Sequence, residues 1–370
     1  MHKITFHNLG NADSYRIDLE NGKKLLFDYA ATRDPEDKDD KRCDLEAELR
    51  ADLNKANRDF FEVVAFTHID NDHIKGASDF FWLEHAKKYQ GDDRIKINEL
   101  WVPAAAIIEK GVDGEKAIVQ REARYRLKEG RRIRVFSRPE RLKDWLEEQG
   151  LSLDDRKHLI TDAGSLVPGF TLEGDDLEFF VHSPFAHRQD GELIDRNEQC
   201  IVLQAKFKHG DRKTRFFMAA DTKHENLDEI VTTTEKHNRE DRLEWDVMKI
   251  PHHCSYLSLG PDKGKEKTEP TENIKRLYEE YGQTRGVLVS SSDPIPDEDT
   301  DQPPHRQAAR YYEDVADMHS GEFMVTMEHP SSSAPKPIVI RIGDRGATIE
   351  KRTTAGVAAV ITRPSPRAGA

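Results

Sequence analysis

The chain reads as an α/β protein, a sheet covered by helices, on three observations. Short apolar runs of strand length recur along it, charged segments with helical periodicity separate several of them, and chemically rich side chains follow the runs directly. The first strand signals cover residues 3–9, 14–19 and 24–28. They are parted by Gly10-Asn11-Ala12-Asp13 and by Asn21-Gly22, the latter a strong hairpin signal because both residues tolerate the positive φ of a tight turn. Residues 33–41 are too polar for a core and read as a loop. A helical pattern over 44–56 then leads into the apolar strand 60–66.

The next section predicts a helix over 78–89, a strand over 97–102, and helices over 105–127 and 138–149. Gly111-Val112-Asp113-Gly114 interrupts the longer helix, and Gly150 closes the last in a capping position. Strand signals return at 177–181, 199–207, 215–219, 246–250, 286–290, 323–327 and 338–342. The organisation expected is a single domain over 1–345, with a helical insertion or lid at about 104–160, followed by a tail over 346–370. Much of that tail lacks periodicity and is expected to be disordered.

At 370 residues the chain can bury a large core, yet it is only 36% hydrophobic and 34% charged, so its surface is heavily ionic. No apolar stretch approaches the length of a membrane span and no signal-peptide pattern opens the sequence, so a cytoplasmic location without membrane attachment is expected. Three cysteines, Cys43, Cys200 and Cys254, are too few and too odd for a disulfide framework and point to a reducing compartment. With 57 basic against 70 acidic residues the formal charge is −13, which repels a polyanion overall. The basic strip Lys128-Glu129-Gly130-Arg131-Arg132-Ile133-Arg134 reads as a solvated helix end and loop.

Chemistry concentrates in Phe66-Thr67-His68-Ile69-Asp70-Asn71-Asp72-His73, four metal-capable side chains within six residues after an apolar strand. Imidazole nitrogen and carboxylate oxygen suit zinc, and a sharp turn can aim several of them at one point. Two later strands end similarly. Phe216-Phe217-Met218-Ala219-Ala220-Asp221 presents a carboxylate, and Val247-Met248-Lys249-Ile250-Pro251-His252-His253-Cys254-Ser255 presents paired imidazoles. Taken singly, each such residue is more often a core or turn residue than a ligand. Their conjunction points to a metal site, and no Ser-His-Asp arrangement, phosphate-binding loop or dinucleotide fingerprint competes with it.

The ordered set His68-x-Asp70-x-Asp72-His73, Ala220-Asp221 and His252-His253-Cys254-Ser255 resembles the metallo-beta-lactamase superfamily, and within it the ComEC-type branch named for a domain of bacterial DNA-uptake channels. Asn8-Leu9-Gly10-Asn11-Ala12-Asp13-Ser14, Leu26-Phe27-Asp28-Tyr29-Ala30, Val181-His182-Ser183-Pro184 and Asn197-Glu198-Gln199-Cys200-Ile201-Val202-Leu203 fall in the expected order, so the resemblance spans about residues 3–320. It implies an αββα sandwich, two mixed sheets face to face with helices outside, and a site for one or two zinc ions at one edge. Asp70 stands where the commoner pattern has histidine, which makes the site richer in oxygen and manganese an alternative to zinc.

By position, the resemblance gives His68 and Asp70 to one ion, Asp72 and His73 to the other, Asp221 as their bridge, and His252, rather than His253, as the last ligand. The third ligand of the first ion has no clear counterpart; His182 and Asn197 are candidates and His187 a distant one. Asn11, Asp13 and Asp28 read as turn residues or as residues that orient ligands. Cys254, where the family usually has glycine, reads as a packing residue.

Such a site implies hydrolysis by a water activated at the ion. Asp72 is expected to orient the attacking water, and His305, in Pro303-Pro304-His305-Arg306, to protonate the leaving group. The substrate expected is a phosphodiester, nucleic acid or nucleotide. The alternatives are a small lactam, lactone or thioester, or a non-catalytic subunit of a bacterial defence-type assembly that contacts its partner through residues 105–149.

Overall fold

The computed structural model describes residues 1–189, 196–197 and 199–350. Fifteen strands are found among the described residues: β1 (His2–Phe6), β2 (Tyr15–Asp18), β3 (Lys24–Phe27), β4 (Phe60–Ala65), β5 (Lys96–Pro103), β6 (Ile133–Phe136), β7 (Ile160–Thr161), β8 (Leu177–Ser183), β9 (Val202–His209), β10 (Arg212–Met218), β11 (Trp245–Lys249), β12 (Gly282–Ser290), β13 (Glu322–Val325), β14 (Ile338–Gly343) and β15 (Gly346–Ile349). The helices are α1 (Leu45–Lys55), α2 (Asn71–Ile74), α3 (Ala77–Phe80), α4 (Ala104–Ile108), α5 (Gly114–Glu129), α6 (Glu140–Glu148), α7 (Leu153–Arg156), α8 (His224–Lys236), α9 (Glu272–Glu279) and α10 (Arg306–Met318).

The strands form two sheets, in the orders β15-β14-β1-β2-β3-β4-β5-β6-β7 and β13-β12-β11-β10-β9-β8. Both are mixed. β1, β2 and β3 pair antiparallel while β3 to β7 run parallel, and β8, β9 and β10 pair antiparallel while β10 to β13 run parallel.

Strand alternation builds the layers. On β3 and β4, Leu25, Phe27, Val63 and Ala65 face the second sheet, whose Phe179, Leu203, Phe216 and Val247 complete the central core. Their neighbours Leu26 and Val64 face outward onto Leu45, Leu49 and Leu53 of α1. On the far side, Phe217, Met248 and Leu288 meet Leu227 and Ile230 of α8, Leu277 of α9 and Tyr312 of α10. The result is helices, sheet, sheet, helices, the αββα arrangement. Trp101 lies wholly buried at its centre with Phe136, Phe170 and Phe179 at 5.5, 5.9 and 5.4 Å, a position where truncation to alanine costs about 3–5 kcal/mol.

Three expectations need correction. The section 104–160 is not purely helical, because β6 and β7 extend the first sheet by two strands. The boundary at 345 falls inside a hairpin: Gly343 pairs with Gly346, so 346–349 belong to the sheet, and the expectation for 351–370 lies outside the described residues. The helix predicted over 78–89 stops at Phe80. The buried carboxylate of Glu122 on α5 accepts from the backbone N–H of both Glu84 and His85, and this long-range claim on the donors displaces the helical ladder. No helix is long and apolar enough to cross a membrane among the described residues.

Candidate metal centre

The C-terminal ends of β3, β4, β10 and β11 meet at one rim of the sandwich. Asp28, just past β3 in left-handed backbone (φ 57°), braces the turn after β4. One of its carboxylate oxygens accepts from the Thr67 backbone N–H (2.7 Å), and the other accepts from Thr67 Oγ1 (2.8 Å) and from His73 Nδ1 (3.0 Å). That leaves His73 Nε2 as the lone-pair nitrogen, aimed into the rim. The loop after β1 is tied to the same turn by Asp13 N–H donating to the Asp72 carbonyl at 2.9 Å.

Around His73 Nε2 lie Asp221 Oδ1 at 3.4 Å, Asp13 Oδ2 at 3.7 Å and Asp72 Oδ2 at 3.8 Å. His253 Nε2 closes the circle, 3.2 Å from Asp72 Oδ2 and 3.4 Å from Asp221 Oδ2, while its Nδ1 donates to the Ser291 carbonyl at 2.6 Å. Two overlapping groups result, Asp13, His73, Asp221 and His253, and His68, Asp72 and His73, each with ligand atoms within 4.8 Å of one another. Lys249, fully buried, places Nζ 2.7 Å from Asp13 Oδ2, so that carboxylate carries a compensating charge.

The backbone that delivers His253 is strained. His252, His253 and Cys254 stand in succession at φ 49°, 52° and 65°, a conformation costing non-glycine residues on the order of 1–2 kcal/mol each. His252 N–H donates to the Ala220 carbonyl (3.3 Å) and His305 N–H to the Cys254 carbonyl (3.1 Å), which hold the turn. Cys254 fills the space beneath it in the outer core of the second sheet.

The electrostatics fit a cation. Burial alone would lower His73 and His253, but the carboxylates of Asp221, Asp28 and Asp72 lift His73 well above the usual imidazole range, and Asp221 and Asp72 raise His253 to about 10. Asp221 is buried, yet His253 and His73 hold it well below the usual carboxylate range. His68 is pushed down to about 4 by burial and by His73, so it stays neutral and able to donate its lone pair. A field that drives imidazoles toward protonation is one that attracts a dication, and metal binding would release those protons.

The residues also present unpartnered atoms that a cation would satisfy. His68 Nε2, His73 Nε2, Asp13 Oδ1 and Asp221 Oδ1 are buried with no hydrogen-bond partner. Each such orphan costs about 1–3 kcal/mol in a closed protein, and four converging on one rim are accounted for by a bound ion.

Of the seven expected ligands, the structure brings together His68, Asp72, His73 and Asp221. His252 stands one residue out. The turn after Pro251 runs through three left-handed residues and brings His253 into the group; His252 lies outside it, its Nδ1 buried without a hydrogen-bond partner. His182 points the other way: it alternates with the inward-facing Val181, lies between Phe180 and Phe217, and donates from Nε2 to the Arg242 carbonyl at 2.9 Å. Asp70 lies at the margin, Oδ2 3.6 Å from His68 Nε2, while Oδ1 is taken by Lys116 and Arg196. His187 is exposed beside Glu229, and the Asn197 carbonyl accepts from Cys200 Sγ. His305 sits behind the 252–255 turn with Nδ1 accepting from the Tyr256 N–H, outside both groups of ligand atoms. Asp13, assigned a turn role, is the member that spacing missed; only its place after an apolar strand hinted at it.

No protein-family model and no curated protein matches the chain. Solved structures with a similar course of the chain include the metallo-beta-lactamase GOB-18 from Elizabethkingia meningoseptica, 14% identical over 75% of this chain and 90% of that one, TM-score 0.33. The class B3 di-zinc metallo-beta-lactamase LRA-12 from an Alaskan soil metagenome is 12% identical over 75% and 92%, TM-score 0.32. A diphosphatase from the PhnP family is 10% identical over 79% and 87%, TM-score 0.31.

Proposed function

We propose that the chain is a metal-dependent hydrolase of the metallo-beta-lactamase kind, acting on phosphodiesters such as a nucleotide or nucleic acid. The observation that carries this reading is the convergence of Asp13, His73, Asp221 and His253 from both sheets, with His68 and Asp72 joining at His73 and with buried atoms of Asp13, His68, His73 and Asp221 unpartnered. Those six residues would hold one or two divalent ions, zinc or manganese. An ion held there supplies an activated water and polarises the electrophile at neutral pH.

The protein's own part is positioning. Asp28 fixes the His73 ring, and the Ser291 carbonyl fixes the His253 ring. Asp72 is the most open carboxylate of the groups, its side chain 36% exposed, and so the one placed to meet and orient a water arriving from solvent. Lys249 neutralises Asp13 and keeps the rim from accumulating more negative charge than a dication offsets. His305 supports the turn that carries His253 and is not given a proton-transfer role. A reducing, cytoplasmic setting belongs to the same reading, supported by three unpaired cysteines.

The test is turnover of bis-p-nitrophenyl phosphate and labelled DNA by metal-loaded protein, beside a panel of lactones and thioesters. Metal-dependent phosphodiester cleavage, abolished in Asp72→Ala, is expected. Turnover confined to the carbonyl panel would replace this reading with the carbonyl-hydrolase one.

A further inference from the structure

Beside the centre, four charged side chains from separate parts of the chain meet at the mouth. Asp70 Oδ1 accepts from Lys116 Nζ at 2.7 Å and from Arg196 Nη1 at 2.6 Å. Lys116 comes from α5, and Arg196 precedes β9. Glu109, the residue that closes α4, accepts from Arg196 Nε at 2.9 Å and from its Nη2, which fixes the guanidinium plane. Asp70 is the N-cap of α2 but makes no side-chain cap bond there, so its carboxylate is committed to the two cations.

The network bears on how the rim is occupied. Two cations already share one oxygen of Asp70. A dication on the same carboxylate would place four positive charges against Asp70 and Glu109 within a few bond lengths. His182, one of the candidates for a further ligand at this position, faces the opposite side of its strand. Among the described residues a second ion beside His68 would have only that imidazole to itself, since His73 belongs to both groups and Asp72 lies 3.2 Å from His253, and the neighbouring Asp70 is already paired with two cations. Lys116, Arg196 and Asp70 remain 20 to 27% exposed, at the open side of the rim rather than sealed in a core.

We infer that Lys116 and Arg196 form an anion-binding subsite for a phosphate group of the substrate, held by Asp70 in place of a second metal ion. Lys116 Nζ carries two more N–H donors than it spends on Asp70, and Arg196, its Nε and Nη2 held by Glu109, can turn the Nη1 donor it gives Asp70 to a phosphate oxygen. An incoming phosphate would compete with Asp70 for these donors, its other oxygens directed toward the neighbouring groups that would hold the ion. This deepens the phosphodiesterase reading and rests on it for the identity of the anion. The subsite itself rests on the Lys116, Arg196, Asp70 and Glu109 geometry.

The experiment uses the full chain with two readouts besides activity: metal content by elemental analysis, and binding of inorganic phosphate by calorimetry. One ion per chain is expected in wild type and in Lys116→Met, Arg196→Met and Asp70→Asn. Phosphate affinity should fall about tenfold or more in each of the two cation variants, the loss of one charge-assisted hydrogen bond, and recover in part in Arg196→Lys. Asp70→Asn, which frees both cations, should bind phosphate at least as tightly as wild type. Two ions per chain dropping to one in Asp70→Asn would make Asp70 a metal ligand and overturn the inference, as would phosphate affinity indifferent to Lys116 and Arg196. Phosphate binding that depends on both cations in a protein inert toward phosphodiesters would uphold the subsite and defeat the activity. Asp72-dependent cleavage with unchanged phosphate binding in the cation variants would do the reverse.

Discussion

Asp28 Oδ2 lies 3.0 Å from His73 Nδ1, both side chains fully buried, and this contact decides which imidazole nitrogen faces the rim. Removing the charge while keeping the shape, in Asp28→Asn, should leave the fold intact and weaken metal affinity roughly 10–100-fold, the usual cost of losing a carboxylate behind a ligating histidine. Competition with a chromophoric chelator measures it; unchanged affinity would mean that His73 does not bind the ion.

His253 and His252 separate in the same assay. His253 Nε2 sits between Asp72 and Asp221, whereas His252 stands outside both groups of ligand atoms. His253→Ala should therefore lose far more metal affinity than His252→Ala. The reverse order would return the inward role to His252.

Lys249 is fully buried against Asp13, and its ammonium is held above the usual range by Asp13 and Asp221 despite the opposing effect of burial. Lys249→Met leaves Asp13 without its partner and should destabilise the metal-free protein by about 3–5 kcal/mol. Urea unfolding reads this directly. Added divalent ion should restore part of the loss, because a cation at the rim offsets the same carboxylate.

His182 and His7 supply a pH signature away from the centre. Burial lowers both to about 4, from an ordinary 6.5, with Arg16 adding to the effect at His7. Between those values the unfolded chain binds more protons than the folded one, so stability falls as pH drops through 6.5 toward 4. Each group contributes up to about 3 kcal/mol across that window. His182→Gln keeps a donor for the Arg242 carbonyl and should flatten the acid limb of the urea midpoint against pH; a limb as steep as wild type would count against a neutral, buried His182.

Much of this was legible in the sequence because its signals are local. Apolar runs such as 60–66 and 246–250 mark strands whose two faces are both buried, and the ligands follow them within a few residues. What was not legible depends on geometry fixed elsewhere. Whether His252 or His253 points inward is set by three consecutive left-handed residues, a conformation no propensity assigns to His-His-Cys. His182 was misread because one step of strand parity carries it to the outer face. The 78–89 helix failed because Glu122, distant in sequence, takes the backbone donors. Asp70 was read as a ligand because its spacing said so; only the fold brings Lys116 and Arg196 to it.

His73, Asp221 and His253, with Asp13 and Asp72 beside them, are expected to grip a divalent ion. Anomalous scattering from crystals grown with zinc or manganese tests it most directly. The account predicts a peak about 2.0–2.2 Å from His73 Nε2 and His253 Nε2, with carboxylate oxygens completing the shell. A rim without a peak, with ions found only at a separate surface group such as His2, Glu20 and His209, would contradict it.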